Sequence, residues 1–338
     1  MMDRETFQKN ILSIGSESTF NECAIALFKH QYQFNEVYRR YVDSIGIVIE
    51  DINQYSKIPC LPISLFKTQR VSCITEHDFI QAPHALVFKS SGTSQQERSS
   101  HYVYDSTWYQ QVALNTFEHF FGSIKDFAII AYLPSYYENK QSSLLYMVDY
   151  FIQESGTSIS GYYDLIKDDF TGVLQQCKVQ GKKTWIIGVT YALLDWIESD
   201  QAIKLDASVV LVETGGMKGR REELVRADLH ERLKKYLGLT KIYSEYGMCE
   251  LLSQGYCFEN EEFNTPAWLK FQLREINDPF STILEGNGLI KIIDLANIDS
   301  CAFIETQDLG TVGALGGLKI LGRVDNSDLR GCNLLYQN

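Results

Sequence analysis

Five short stretches carry residue types that can do chemistry. The first is LVFKSSGTSQQERS, Leu86 to Ser99. An apolar run, Leu86 to Phe88, reads as a strand that breaks at Lys89 into Ser90, Ser91, Gly92, Thr93 and Ser94. Glycine lets the backbone turn and come close to a ligand. Free N–H groups in such a turn make an anion-binding concavity. Hydroxyls add donors, and one can also ligate magnesium. A solvated turn between strands is the plainer reading of the same residues. The stretch is not a Walker-type loop, because no Gly-Lys pair follows Gly92, and it is not G-x-G-x-x-G either.

The other four stretches lie downstream. ETGGMKGR, Glu213 to Arg220, sets Gly215 and Gly216 at the end of an apolar run, where a flat ring can approach the backbone. In YSEYGMCE, Tyr243 to Glu250, Tyr246 can stack on a base, followed by Gly247. Glu250 can offset a magnesium–phosphate charge, since magnesium prefers oxygen ligands. In ETQDLGTVG, Glu305 to Gly313, Asp308 stands before an expected turn and can accept two hydroxyls of a ribose. The last stretch is LGRVDNSDLRGC, Leu321 to Cys332.

These residues need a frame, and the apolar rhythm supplies one. Phe20 to Tyr41 repeats apolar residues near the helical period. His101 to Tyr104 reads as a return strand after the glycine loop. Asp105 or Ser106 can cap a helix over 107–121 that Gly122 ends. Strands then alternate with helices: strands at 127–133, 184–189, 208–213 and 241–247, helices at 142–154, 191–198 and 221–237. That alternation predicts an α/β fold with a mostly parallel sheet flanked by helices. Ligands of such sheets collect at the carboxyl ends of the strands. Residues from about 269 to 322 read as shorter strands in a β-rich subdomain.

Bulk composition narrows the function classes. The 338 residues are 45% hydrophobic and 22% charged, as in ordinary globular proteins. A formal net charge of −12 with no long basic run argues against nucleic acid as partner. The start, MMDRETFQKN, lacks the apolar core of a secretory signal, and no apolar run reaches membrane-span length. Eight cysteines without a C-x-x-C pair and six isolated histidines predict reduced thiols in the cytoplasm and no Cys/His metal site.

The order SSGTS, GG, YGMCE, TQDLG, GRVD…RG resembles the adenylate-forming superfamily of acyl-CoA synthetases, adenylation domains and luciferases, over roughly Leu86 to Cys332. FKSSGTS, ETGGMKGR and GR…LRGC look most like the acyl-protein synthetases of bacterial bioluminescence operons, the LuxE-like group. That resemblance implies the large N-terminal-type domain of these enzymes, here residues 1–325, with ATP and Mg2+ as co-substrates. It implies activation of a carboxylic acid, of fatty type, to acyl-AMP, then a thioester on an enzyme cysteine, then transfer to an acceptor protein such as an acyl reductase or carrier. Ser90, Ser91, Gly92, Thr93 and Ser94 would hold the phosphates, with Thr93 and Glu250 near the metal. Gly215, Gly216, Tyr246 and Gly247 would form the adenine pocket. Asp308 would bind the ribose, Arg323 the ribose or phosphate, and Asp325 would mark the hinge.

Two departures stand out. The phosphate loop lacks its usual second glycine and lysine, since Ser94-Gln95-Gln96 follows Thr93. Only thirteen residues follow Asp325 (338 − 325), so the C-terminal lysine-bearing domain of the superfamily is expected to be absent. Lys218, Lys89 or Arg323 are candidates for part of that lysine's work. Residues 326–338 would be a tail carrying Cys332, seven residues past Asp325, with a reach of roughly 24 Å when extended. Arg330 nearby would favour the thiolate, and the thiolate would take the acyl group from AMP. Cys332 packed against the last strand is the alternative, and Cys249 is the competing cysteine. Two other functions fit the same residues. One is a carboxylate–CoA or amide-forming ligase, for which Cys332 is dispensable. The other is a nucleotide-binding partner subunit with little chemistry of its own. Tyr132, Tyr136, Tyr137, Tyr162 and Tyr163 are candidates for lining a pocket for a smaller or more polar acid.

Overall fold

The computed structural model describes residues 3–91, 98–134, 141–215, 224–258, 261–278, 281–283, 285–313 and 317–323. In chain order its elements begin with α1 (Arg4–Leu12), α2 (Glu17–Phe34), α3 (Glu36–Ser44), β1 (Leu61–Pro62), α4 (Leu65–Thr68) and α5 (Glu76–Gln81). Next come β2 (Leu86–Lys89), β3 (Ser100–Val103), α6 (Ser106–Phe121), β4 (Phe127–Tyr132), α7 (Ser143–Ser155), β5 (Gly161–Tyr162), α8 (Phe170–Val179) and β6 (Lys183–Val189). Then follow α9 (Thr190–Glu198), β7 (Val209–Thr214), α10 (Arg226–Leu237), β8 (Tyr243–Tyr246), β9 (Gly255–Cys257) and β10 (Phe263–Asn264). The series closes with β11 (Leu269–Arg274), β12 (Gly286–Asp294), β13 (Phe303–Val312) and β14 (Leu318–Arg323). The chain divides into two compact units. One gathers Met1–Leu86, Gln95–Tyr104 and Ala267–Asn338; the other is Val87–Ser94 with Asp105–Pro266.

In the second unit the sheet runs β10-β9-β8-β7-β6-β4-β5. The pairs from β5 through β4, β6 and β7 to β8 are parallel, and β9 and β10 add antiparallel. All six residues of β4 are buried, as are six of the seven in β6. Such two-sided burial is what a parallel strand between helical layers requires. Helix boundaries follow local chemistry. Asp105 caps α6 by accepting from the Thr107 and Trp108 amides, at 3.0 and 3.4 Å, and Ser142 caps α7. Left-handed glycines, Gly156 (φ 66°) and Gly238 (φ 76°), end α7 and α10, where a side chain would be strained. Phe117 of α6 packs on Phe127, Phe151 and Trp185, with ring centroids 5.1–5.6 Å apart. α6 and α7 therefore cover one sheet face.

The first unit carries an antiparallel β11-β12-β13-β14 sheet, with β1 joined parallel to β13. The buried Gln31 of α2 serves three backbone groups of this unit. Its amide nitrogen donates to the Asn297 and Ile298 carbonyls, at 2.8 and 3.0 Å, and its oxygen accepts from Ala302 N at 2.9 Å. His101, buried in β3, contacts Asn297 Oδ1 through Nε2 at 3.1 Å, a structural role.

Several boundaries differ from the sequence reading. The apolar repeat of Phe20–Tyr41 is two helices, because Asn35 adopts an extended conformation, ends α2 and caps α3 through Tyr38 N. The expected 221–237 helix starts at Arg226, after an extended Val225. β12 and β13 are nine and ten residues long rather than short. Helix α8 and strands β5, β9 and β10 had no clear sequence signal.

Candidate functional site

The carboxyl ends of β6, β7 and β8 lie side by side, with Val189 opposite Thr214 and Thr214 opposite Glu245. Alternation along the strands sends their last side chains to opposite faces. Glu213 and Ser244 point to one face, and Thr214 and Glu245 to the other.

On the first face, Glu213 is 5% exposed and has several partners. The Thr190 hydroxyl donates to its Oε2 at 2.9 Å. Arg226 Nε lies 3.5 Å and His230 Nε2 3.6 Å from its Oε1, and His230 also meets the Ser244 hydroxyl at 3.0 Å. Burial acts to raise this carboxyl's pKa. The His230 hydrogen bond, the Arg226 charge and Ser244 outweigh burial and hold it below the usual range. Arg226 also lies over the Phe263 ring, 4.8 Å from its centroid. Phe263 in turn meets Tyr246 edge-on at 5.8 Å. The candidate stacking residue thus leans on a ring that Arg226 also contacts.

On the second face, the Thr214 hydroxyl donates to Glu245 Oε2 at 2.5 Å. Desolvation pushes the Glu245 carboxyl up to about 7; the Thr214 bond opposes this and the Glu213 charge adds to it. A Cβ on Gly247 would fall on Glu245 Oε1, so only glycine leaves that carboxyl in place. Gly215 leaves β7 with φ 82°, a conformation that favours glycine. Glu250 is buried in the segment after β8. Among the described residues no three His, Cys, Asp or Glu side chains gather as a metal cage. A magnesium ion held by one or two carboxylates together with substrate phosphates is compatible with that. Ser90 and Ser91 follow β2, whose Lys89 amide donates to the Gln141 carbonyl at 2.9 Å.

The remaining described candidates, Asp308 and Arg323, belong to the first unit. Asp308 lies inside β13, directly opposite Arg323 of β14, not before a turn. The strand continues through it because β14 pairs with Asp308 itself and β12 pairs with Glu305 and Leu309 on either side of it. On the β12 side, residues 306–308 stand opposite Ile290 alone, since Leu289 pairs with Leu309 and Lys291 with Glu305. Thr306 fills this bulge, donating to the Ile290 carbonyl at 2.9 Å and accepting from Asp308 N at 3.0 Å. Arg323 donates to Gln307 Oε1 at 3.2 Å. Gly92, Thr93, Ser94, Gly216, Lys218, Asp325 and Cys332 lie outside the described residues.

Two of the candidate pocket tyrosines are engaged locally. Tyr162 donates to Asp149 and Tyr163 to the Ile159 carbonyl, both at 2.6 Å. Glu213, Glu245, Arg226, His230, Gln254 and Tyr256 were not singled out from sequence. A carboxylate closing an apolar strand, as in SVVLVE, was the available signal for Glu213.

No protein-family model matches the chain, and no curated protein matches it. Solved structures do. ATP-bound MatB from Rhodopseudomonas palustris aligns with a TM-score of 0.52 at 16% identity, over 70% of this chain and 47% of MatB. A 2-hydroxyisobutyryl-CoA ligase in the postadenylation state with 2-HIB-AMP aligns with a TM-score of 0.65 at 10% identity, over 92% of this chain and 68% of that one. The o-succinylbenzoate CoA synthetase MenE from Bacillus subtilis gives 0.51 at 15% identity, over 73% and 51%. The chain spans about half the length of MatB and MenE. Its fold is that of the large N-terminal domain of adenylate-forming enzymes.

Proposed function

We propose that the protein activates a carboxylic acid with ATP. A carboxylate oxygen of the acid attacks the α-phosphorus. The bond to the β-phosphate oxygen breaks, and pyrophosphate leaves with acyl-AMP behind. The observation that carries this reading is the placement of Gly215 and of Tyr246-Gly247 at the carboxyl ends of neighbouring parallel strands. Ligands of such sheets gather there. The likeness to ATP-bound MatB and to a ligase in the postadenylation state with 2-HIB-AMP supports it.

In this reading Ser90 to Ser94 hold the phosphates, Tyr246 stacks on adenine, Asp308 takes the ribose and Glu250 holds Mg2+. Magnesium would offset the triphosphate charge. The acyl group, of fatty type, then passes to Cys332: the thiolate attacks the acyl carbon and AMP leaves. A thioester exchange to an acceptor protein follows. Four of the buried or part-buried cysteines are poor candidates for that thiolate. Burial pushes Cys257 up to about 11 and Cys60 up to about 12, and it raises Cys73 and Cys301 well above the ordinary thiol range. Such groups stay protonated and are poor nucleophiles. The second reading, a CoA ligase, is favoured by the named structural neighbours, which are CoA ligases.

One experiment separates the two. The protein and its Cys332→Ser variant are incubated with labelled acid, ATP and magnesium. A hydroxylamine-labile label on the wild type alone supports the acyl-thioester. AMP release without label on either protein supports the CoA ligase. No acid-dependent AMP release or pyrophosphate exchange ends the adenylation reading and leaves a nucleotide-binding subunit.

A further inference from the structure

Thr214, Glu245, Gln254 and Tyr256 form a polar cluster that the proposed nucleotide chemistry does not use. Register places Thr214, Glu245 and Tyr256 in a row across β7, β8 and β9. Side chains of directly opposed residues share a face. Gly247, two residues past Glu245, points the same way, and Gln254 Cγ lies 3.5 Å from where its Cβ would be. The row is covered by α6, whose Phe120 and Phe121 pack on Tyr256 at 5.4 and 5.0 Å.

Two polar atoms in this cluster have no hydrogen-bond partner among the described residues: the Tyr256 hydroxyl and Gln254 Oε1. Tyr256 is fully buried and Gln254 is 4% exposed. Gln254 Nε2 donates to the Leu252 carbonyl at 3.3 Å, which fixes the amide so that its oxygen is the orphan. Native proteins rarely leave such groups unmade, and each case calls for an explanation. Two such atoms on one sheet face, beside a desolvated carboxyl and adjoining Tyr246-Gly247, point to recognition of a polar group.

We propose that this cluster receives the chain of the acid substrate, and that the acid carries a hydroxyl there. This rests on the adenylation reading above. The chemistry selects a hydroxyl over its rivals. A methylene chain would leave the Tyr256 hydroxyl and the Gln254 oxygen buried without partners. A hydroxyl can donate to Gln254 Oε1 and accept from Tyr256 or from Glu245, which burial keeps largely protonated up to about pH 7. An ammonium group can donate but cannot accept those protons. Sites built to hydrogen-bond a substrate hydroxyl reject the analogue that lacks it strongly.

The test is pyrophosphate exchange with matched straight-chain acids, each unsubstituted, hydroxylated or aminated at the same carbon. The same pairs are titrated calorimetrically without ATP. The expected result is a preference of roughly 100-fold or more in kcat/KM for one hydroxy acid over its unsubstituted partner. Tyr256→Phe, which keeps the ring and its packing, is expected to cut that ratio at least about tenfold. Equal use of both acids, preference for the amino acid, or an unchanged ratio in the variant would overturn the proposal. Failure of exchange with every acid would count against adenylation instead. The calorimetry then decides: hydroxy-acid binding weakened in Tyr256→Phe upholds the cluster as a ligand site, and no selective binding removes it.

Discussion

The Thr214 hydroxyl and the Glu245 carboxyl are held 2.5 Å apart at the ends of two paired parallel strands. The threonine donates to a carboxyl that burial pushes up to about 7. The unfolded chain loses this proton near pH 4.5 and the folded chain keeps it longer. Stability is therefore lost as pH rises between these values, by up to about 3 kcal/mol. Glu245→Gln is expected to melt higher than wild type at pH 8 and to match it near pH 4.5. Thermal unfolding across that range checks it.

Glu213, one residue and one sheet face away, tilts the other way. Its partners hold its pKa below the ordinary value, so its contribution is present above about pH 4.5 and fades as pH falls through the lowered value. Glu213→Ala leaves Arg226 and the Thr190 hydroxyl without this partner. A loss of about 3–5 kcal/mol at pH 7, shrinking on acidification, is the expected outcome of denaturant titrations.

In the first unit, Arg274 and Glu305 form a bidentate pair at 2.6 and 2.7 Å, with side chains 10% and 13% exposed. Arg274 also donates to the Glu275 and Ile276 carbonyls. Removing either charge alone strands the other, so each single alanine variant is expected to cost roughly 3–5 kcal/mol. The double variant Arg274→Met with Glu305→Leu is expected to recover much of that loss. Urea titrations of the wild type, the two single variants and the double variant measure it.

Asp308→Ala tests the ribose assignment. Hydrogen bonds to a charged acceptor contribute about 1.5–3 kcal/mol. Loss of them is expected to raise the KM for ATP by roughly 10- to 100-fold. The residue is half-buried at a bulge, so the melting temperature should change little. An unchanged KM would remove Asp308 from the nucleotide site.

The sequence made the helix ends and the parallel core legible because these obey local rules. Asp105, Ser142, Gly156 and Gly238 act within a few residues of themselves. Apolar runs such as FAIIAY announce two-sided burial. Asp308 was misplaced because its surroundings are set by β12 and β14, which the TQDLG string does not contain. The Glu213 and Glu245 clusters were invisible for the same reason. Thr190, Arg226 and His230 meet Glu213 only once α9 and α10 fold against β7 and β8.

The pairing of β1 with β13 has a consequence for synthesis. Leu61 meets Ile304 and Arg4 meets Asp299, at 2.7 Å in the latter case. About 240 residues separate the first pair, so at typical ribosomal rates the early helices wait roughly 12–50 s for their partners to be made. During that interval Phe20, Leu27 and Phe28, all buried in the finished fold, have no sheet to cover them. The nascent chain should accordingly engage chaperones most strongly before residue 300 emerges, and release them as β13 becomes available.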